Sequence, residues 1–335
     1  MNSKSLWRAS LPLLLLAVMA PASASDAPDS DYVVLKGDSS VGKSALDEAI
    51  APLFDNSELG LTQSVLVMHK GEVLAERYGD GIHSQTKLLS RSIAKAVTTV
   101  LVGLMVSDGR LALDSPVPLA AWNQPGDPRG LITLRHLLTM SSGLQHREMG
   151  EPLATADTMI VSDLMTRMLT DRNDPQARRD AMEEYIEGRL AAPVGLPSLT
   201  AEYDARGTMI GGAMMHMTTR DYARFGQFLM QKGRIDGKQI VSPRWVEFMT
   251  RPSRRNPAYG GGLWLNREGV EGEDNPLFPG KGPRSLFACV GHNGQYIIVS
   301  PAQGLVIVRM GVTTKDDRPA LANALAELVA LFPSG

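Results

Sequence analysis

Short runs of apolar residues with strand-like spacing lie near both ends of the chain. The turn sequences between them are His69-Lys70-Gly71-Glu72, Asn293-Gly294 and Pro301–Gly304, which are typical of hairpins. We therefore expect five antiparallel strands that form one sheet from both termini. The runs are 64–68, 73–78, 285–291, 295–300 and 305–310.

Before, between and after these runs, other segments show apolar residues with helical spacing. Residues 44–54 and 320–332 predict helices that pack on one face of the sheet, and 92–106 predicts a helix that is apolar on most faces and therefore buried. The middle of the chain, about 110–255, is mostly helix and loop. The predicted fold is α/β (α+β): a five-stranded antiparallel sheet flanked by terminal helices, with a large, mostly helical insertion.

The first 24 residues have the pattern of a signal peptide. Lys4 and Arg8 precede the apolar run Leu11–Ala20, and Ala22-Ser23-Ala24 predicts cleavage before Ser25. A membrane anchor is the alternative, but the run is half of the roughly 20 residues that a span needs. We expect a periplasmic or secreted bacterial protein without stable membrane insertion. The predicted division is a signal peptide (1–24), a linker (25–43) and one domain (44–334), with a sheet part (about 44–92 and 283–334) and a helical part (about 93–282).

Composition and charge exclude several functional classes. The 335 residues carry a net charge of −2, or −4 after loss of Lys4 and Arg8, and no basic block suggests a nucleic-acid partner. Cys289 is the single cysteine, so neither an intrachain disulfide nor a Cys-based zinc site can form. The six histidines show no metal-ligand spacing. We expect no metal and no cofactor; the oligomeric state is left open.

A phosphate-loop pattern occurs at Gly37–Ser44, GDSSVGKS, between an apolar patch and a predicted helix. A nucleotide-binding fold would need further parallel βαβ units, which the sequence lacks. An exported protein would also meet little nucleotide. We expect a Gly/Ser linker there, and no binding of ATP or GTP.

Ser92 and Lys95 open the predicted buried helix with the spacing S-x-x-K. Residues three apart share a helical face, so the two side chains can meet. A lysine forced into an apolar helix has its charged form disfavoured, and can then accept the serine proton. Ser40 and Lys43 have the same spacing, but they lie in a polar, glycine-bearing stretch.

The region around Ser92 resembles the nucleophile helix of the serine beta-lactamase and penicillin-binding-protein superfamily. It is most similar to the branch of class C beta-lactamases, related esterases and 6-aminohexanoate-dimer hydrolases. Further motifs in the same order extend the resemblance over nearly the whole chain from about Ser44. The motifs are SRSIAKAVTTVLVGLMVSDGRLALDSPV (90–117), ITLRHLLTMSSGL (132–144), DARG (204–207), TTRDYARFG (218–226), YGGGLWLN (259–266) and GHNGQ (291–295).

The resemblance implies roles for several residues. Ser92 would be the acylated nucleophile and Lys95 its proton acceptor. His292-Asn293-Gly294 takes the place where the family carries Lys-Thr-Gly or His-x-Gly on a strand that lines the cleft. His292 would orient the substrate or donate a hydrogen bond to its acyl group. The oxyanion hole would use the N–H of Ser92 and one near Gln295, with the register between His292 and Gln295 left open.

One family element is missing from the sequence: a Tyr-x-Asn or Ser-x-Asn motif whose tyrosine shares proton transfer with the lysine. None of the seven tyrosines has Asn two residues later, and no Ser-x-Asn occurs. Only 48 residues separate SSGL from PVGL, so the segment is expected to be deleted. Tyr185 lies in this interval and is a weak candidate for the missing base.

The sequence therefore predicts a secreted serine hydrolase that cleaves a small amide or ester through a Ser92 acyl-enzyme, impaired by the missing tyrosine. The alternative is a non-catalytic relative that binds peptides or cell-wall fragments in the same cleft. A beta-lactam, a peptide, a short ester and an oligoamide all remain open as substrates. The absence of a Lys-Thr-Gly lysine weakens the case for a true beta-lactamase.

Overall fold

A computed structural model describes residues 32–36, 38, 40–144, 156–273 and 275–334. The predicted signal peptide, and most of the segment before residue 40, lie outside the described residues.

A seven-stranded antiparallel sheet forms the base of the fold. Its order is β1-β3-β2-β12-β11-β10-β9, so the N-terminal hairpin pairs with the C-terminal strands through β2 and β12. The helical part of the domain contains a three-stranded sheet, in which β6 lies between β4 and β5. It also contains a hairpin of β7 and β8. The strands are β1 Tyr32–Leu35, β2 Leu61–His69, β3 Glu72–Tyr78, β4 Leu88–Leu89, β5 Thr200–Ala201, β6 Met215–Met217, β7 Arg234–Ile235, β8 Lys238–Gln239, β9 Trp264–Leu265, β10 Phe287–Val290, β11 Tyr296–Ser300 and β12 Leu305–Val312.

Helices cover both faces of this sheet. The first and last pack together on one face, and α7 lies across β11, β12 and β2 on the other. The helices are α1 Lys43–Asp55, α2 Ala94–Ser107, α3 Leu134–Leu138, α4 Ala156–Leu169, α5 Pro175–Ile186, α6 Ala192–Val194, α7 Thr219–Met230, α8 Pro243–Met249 and α9 Arg318–Ala330.

The strand residues alternate between two hydrophobic cores. Val65 and Val67 belong to the core under α1 and α9, whereas Leu66 and Met68 belong to the core that contains α2 and α7. Because successive side chains of a strand point to opposite faces, a sheet covered on both sides needs nearly continuous apolar runs. This explains the uninterrupted Leu305–Val308 of β12, which is buried throughout.

The five predicted strands, their antiparallel pairing and the paired terminal helices are confirmed, but the strand count is wrong. The sheet has two further edge strands, β1 and β9. The first lies within the expected linker 25–43, and its backbone pairs with β3. The second follows three glycines in YGGGLW, and only two of its residues pair with β10. Both are short, and their partners are far away in sequence, so local patterns give little sign of them.

No helix in the described ranges is both long and apolar enough to cross a bilayer.

Candidate active site

The chain enters helix α2 through a tight turn that places Ser92 at its beginning. A 3-10 turn spans Arg91–Ile93, and Arg91 has a positive φ of 47°, which is unusual for a residue with a side chain. The preceding residue, Ser90, is fully buried. Its N–H donates to the carbonyl of Met215 at 2.8 Å, and its Oγ accepts the Met215 N–H at 3.2 Å. Strand β6 therefore fixes the turn that carries Ser92.

Ser92 and Lys95 meet as their spacing predicted. Lys95 Nζ lies 2.8 Å from Ser92 Oγ, and it also donates to the carbonyl oxygen of Gly212 at 3.2 Å. One residue earlier, the carbonyl of Gly211 accepts the Oγ–H of Thr98 at 2.7 Å. The loop before β6 thus contacts the first turns of α2 at two successive carbonyls, and it directs the amine toward Ser92.

Burial lowers the pKa of Lys95 from 10.5 to about 8. The cause is desolvation, because the low-dielectric surroundings disfavour the ammonium form. The shift makes a neutral amine accessible near physiological pH. A neutral amine 2.8 Å from a hydroxyl can accept its proton.

Two glycines allow neighbouring loops to approach this helix closely. Gly262 has φ +74°, and a Cβ there would lie 2.9 Å from the Lys95 carbonyl oxygen and 2.7 Å from Thr99 Oγ1. At Gly211 a Cβ would lie 2.6 Å from Thr98 Oγ1. These contacts explain glycine in the YGGGLW motif and in the loop before β6.

Ser92 and Lys95 lie at the base of a cleft of about 370 Å³. Val290, Gly291 and His292, at the end of β10, form part of its wall. The remaining described residues of the wall come from several loops and from the start of α9: Thr139, Met140, Arg255, Asn256, Tyr259, Gly262, Trp264, Glu273, Pro276 and Arg318.

Strand β10 presents a backbone N–H toward this cleft at Val290. Gly291 N–H bonds to Gln295 on the β11 side, and the Leu286 carbonyl accepts Asn266 N–H on the β9 side. Backbone groups alternate along a strand, so Val290 points its N–H toward β9. The last β10 residue that pairs with β9 is Ala288, opposite Trp264. Val290 lies two residues further along β10, beyond the paired region. This donor was missed from the sequence.

The structure does not place Gly294 and Gln295 on the cleft wall. Gln295 is buried, and its side-chain amide donates to the Gly311 carbonyl at 2.7 Å and accepts the Asn293 N–H at 3.1 Å. Gly294 has φ +79° and packs near Leu321 and Arg309. GHNGQ forms the turn after β10 and not the strand itself, so the strand N–H next to the cleft is that of Val290 and not one near Gln295. Which N–H group would bind an oxyanion stays a prediction.

His292 does line the cleft, but from this turn. The resemblance implied a position on the strand itself. The side chain of His292 is exposed.

Tyr185 lies away from Ser92. It is buried in the helical part, and its hydroxyl points to the Leu101 carbonyl at 3.5 Å. Burial raises its pKa to about 12. Among the described residues, Tyr259 is the tyrosine on the cleft wall; burial raises its pKa well above the usual value, so its phenol stays protonated.

In the described part of the segment that resembles a phosphate loop, two backbone donors bond within the segment. The carboxylate of Asp38 accepts the N–H groups of Ser40 and Val41 at 2.7 and 3.0 Å, and it also contacts His69. Two N–H groups that a phosphate would need are thus occupied. That no nucleotide binds here stays a prediction.

Within the described ranges, no three His, Cys, Asp or Glu side chains cluster in a way that could hold a metal ion.

Comparison with known proteins agrees with this geometry. The sequence model of the Beta-lactamase family matches residues 60–172 and 161–332. The 6-aminohexanoate-dimer hydrolase of Paenarthrobacter ureafaciens is 22% identical over 312 residues, which cover 79% of this chain and 76% of that protein. A penicillin-binding-protein homolog from Caulobacter crescentus superposes with a TM-score of 0.64 at 16% identity, over 89% of this chain and 100% of that chain. A family VIII carboxylesterase gives a TM-score of 0.61 at 15% identity, over 89% and 100%.

Proposed function

The chain belongs to the Beta-lactamase family, and on that premise we propose that it is a secreted serine hydrolase that cleaves esters or amides through an acyl-enzyme on Ser92. The observation that carries the proposal is the 2.8 Å contact between Ser92 Oγ and the buried amine of Lys95 within a cleft. A serine hydroxyl is a weak nucleophile until a base removes its proton, and Lys95 is placed to do so.

Acylation follows from the positions of these groups. Neutral Lys95 takes the proton of Ser92 Oγ as the oxygen attacks the substrate carbonyl. The resulting oxyanion is stabilised by the N–H groups of Ser92 and Val290, which act on charge that appears only in the transition state. The intermediate then collapses: the bond between the carbonyl carbon and the leaving oxygen breaks, the phenol departs as its anion, and the Lys95 ammonium, whose pKa is about 8, gives its proton to solvent. Water then attacks the ester on Ser92, with neutral Lys95 as the base again, and Ser92 Oγ leaves and regains a proton.

The leaving group decides which substrates the site can process. An amine leaves poorly unless it is protonated, whereas an activated phenol leaves as the anion. The family's Tyr-x-Asn motif is absent from this sequence, and the raised pKa of the Tyr259 phenol makes it a poor proton donor to a departing amine. Loss of a proton-transfer group typically costs about 10²–10⁴ in rate. Esters with good leaving groups are therefore the favoured substrates.

The proposed location rests on residues 1–24, which have the charge and apolar pattern of a signal peptide with an Ala-x-Ala site. Cleavage before Ser25 would release the domain into the periplasm or the medium.

A non-catalytic binder of peptides or cell-wall fragments is the second candidate, favoured by the missing tyrosine motif. Turnover of p-nitrophenyl butyrate separates the two. The hydrolase loses turnover in Ser92→Ala and keeps it in Ser40→Ala, the matched serine of the other S-x-x-K sequence. Absence of any Ser92-dependent turnover would favour the binder.

A further inference from the structure

A second, larger cavity adjoins the Ser92 cleft, and its chemistry is basic. This cavity, which we call the arginine groove, has a volume of about 760 Å³. It shares Thr139 and Arg255 with the cleft. Its charged and titratable lining residues are Arg135, Arg251, Arg254, Arg255, His136 and Asp114. Four arginines thus face one carboxylate in a chain whose net charge is negative.

Two of these arginines already have partners. Arg135 forms two hydrogen bonds to Asp114, at 2.6 and 2.9 Å, and its guanidinium lies 5.0 Å from the centre of the Phe248 ring. Arg255 bonds to Glu273 at 2.5 Å. Within each pair, the carboxylate compensates the positive charge of the arginine.

Arg251 and Arg254 have no carboxylate partner in the described part of the chain, and both are exposed. Their loop is held firmly. Ser253 N–H donates to the Tyr259 carbonyl at 2.8 Å, and Ser253 Oγ accepts Asn256 N–H at 3.0 Å. Two uncompensated guanidinium groups are therefore presented next to the cleft on a fixed backbone. Arginine binds carboxylate and phosphate groups in a two-pronged geometry.

The groove joins the cleft on the side of Lys95. Thr139 lines both cavities, and its neighbour Met140 lines the cleft and a small cavity beside Lys95. Val290 and His292 line neither the groove nor this small cavity. Lys95 carries the Ser92 proton when the leaving group departs, and its positive charge attracts the departing anion, so the leaving group occupies its side of the cleft.

Resting on the proposed function, we propose that the arginine groove binds an anionic group on the leaving-group arm of the substrate. The substrates are then esters whose alcohol portion carries a carboxylate or a phosphate, held by Arg251 and Arg254 while Ser92 attacks the carbonyl.

The test compares butyrate esters with matched leaving groups. One is the ester of 3-(4-hydroxyphenyl)propionate, and the other is the ester of its neutral amide. A third, with a phosphonate in place of the carboxylate, distinguishes the two kinds of anion. We expect kcat/KM to be about fivefold to tenfold higher for the carboxylate or the phosphonate than for the amide, in line with a few exposed charge-assisted contacts. The preference should shrink in high salt.

In the double variant Arg251→Gln/Arg254→Gln, the ratio of kcat/KM for the charged esters to kcat/KM for the neutral ester should fall to near one. The control is Arg172→Gln, an exposed arginine on the loop between α4 and α5, which should retain the preference. Circular dichroism and thermal melts establish that both variants fold. Equal rates for charged and neutral esters would overturn the proposal, as would a preference that survives the double variant.

Phenyl hydrogen suberate against phenyl suberamate places the charge on the acyl arm instead. A preference confined to that pair would overturn the assignment to the leaving group. If no ester is hydrolysed in a Ser92-dependent way, the proposed function fails, and calorimetric titration with 3-(4-hydroxyphenyl)propionate tests the groove alone. Binding that is lost in the double variant would support the groove, and no binding would overturn it.

Discussion

Lys95 Nζ lies 2.8 Å from Ser92 Oγ, and its other hydrogen bond is to a neutral carbonyl, that of Gly212. No carboxylate in the described part of the chain bonds to the amine. Burial therefore acts on its pKa without an opposing ion pair, which is why the pKa falls to about 8.

Hydrolysis should depend on pH through this amine. Below about pH 8 Lys95 is mostly protonated and cannot accept the Ser92 proton, so kcat/KM for p-nitrophenyl butyrate should fall about tenfold per pH unit. Above that pH the rate should reach a plateau. A profile from pH 6 to 10, corrected for spontaneous hydrolysis, measures this. An inflection near pH 10 would show that the amine is not desolvated.

Replacing Lys95 by Met should stabilise the fold at neutral pH. The folded pKa of about 8 is below the ordinary 10.5, so between these values the unfolded chain binds more protons and wild-type stability rises with pH. Below pH 8 the buried Lys95 ammonium lowers the unfolding free energy of the wild type by its full desolvation cost, at most about 3 kcal/mol. The Met variant removes this cost but also loses the contacts to Ser92 and Gly212, which offsets part of the gain. Urea unfolding at pH 7 and pH 10.5 should show the gain at pH 7 alone. The control Lys238→Met, at an exposed site, should leave the unfolding free energy unchanged at both pH values.

Gly262→Ala should destabilise the domain by about 2–4 kcal/mol, because it adds a clash with Lys95 and Thr99 to the strain of a positive φ. Gly272→Ala is the matched control. Its φ is +79°, but no atom lies within 4 Å of the added Cβ, so it should cost only about 1 kcal/mol. Equal losses of unfolding free energy in the two variants would contradict the close approach of the Gly262 loop to α2.

Tyr185→Phe should leave ester hydrolysis within about twofold of wild type, since an effect on catalysis requires contact with the reacting groups. The hydroxyl lies near the Leu101 carbonyl at 3.5 Å, within the helical part. A loss of a hundredfold or more in kcat, with an unchanged melting temperature, would restore this residue as the missing proton-transfer group.

The parts of the site that could be predicted from the sequence depend on local spacing. Ser92 and Lys95 are three residues apart on one helix, so their contact follows from helical geometry. Helix α7 also begins with a contact of local spacing: the Oγ1 of Thr218, the residue before the helix, accepts the N–H of Asp221 three positions later at 3.2 Å, which is one half of a capping box. The reciprocal bond is not formed: Asp221 instead binds Ser198, whose Oγ accepts the Thr218 N–H at 2.8 Å. A residue 20 positions away replaces the local contact.

The parts that could not be predicted depend on pairing between distant segments. The N–H of Val290 has no backbone partner among the described residues, because the pairing of β10 with β9 stops two residues earlier, at Ala288. Strand β9 itself is two residues that follow a glycine run. Gln295 was expected at the oxyanion site, but its amide is used by the Gly311 carbonyl of the neighbouring strand. The arginine groove combines residues from 114–141 with residues from 248–255, which no sequence motif connects.

Esters should be hydrolysed far faster than amides of the same acid. The comparison is p-nitrophenyl butyrate against butyryl p-nitroanilide, with nitrocefin as a beta-lactam probe. Without a group that protonates the departing amine, the anilide and nitrocefin should react at least about a hundredfold more slowly. Efficient, Ser92-dependent cleavage of the anilide would show that another residue fills the place of the missing tyrosine.

The assignment of the acyl group to Ser92 can be tested by mass spectrometry of the protein after reaction with a fluorophosphonate. We expect a single adduct per chain, located by peptide mapping at Ser92. The adduct should be absent in Ser92→Ala, form slowly in Lys95→Ala and form normally in Ser40→Ala. An adduct on any other serine, or none on a folded wild-type protein, would contradict it.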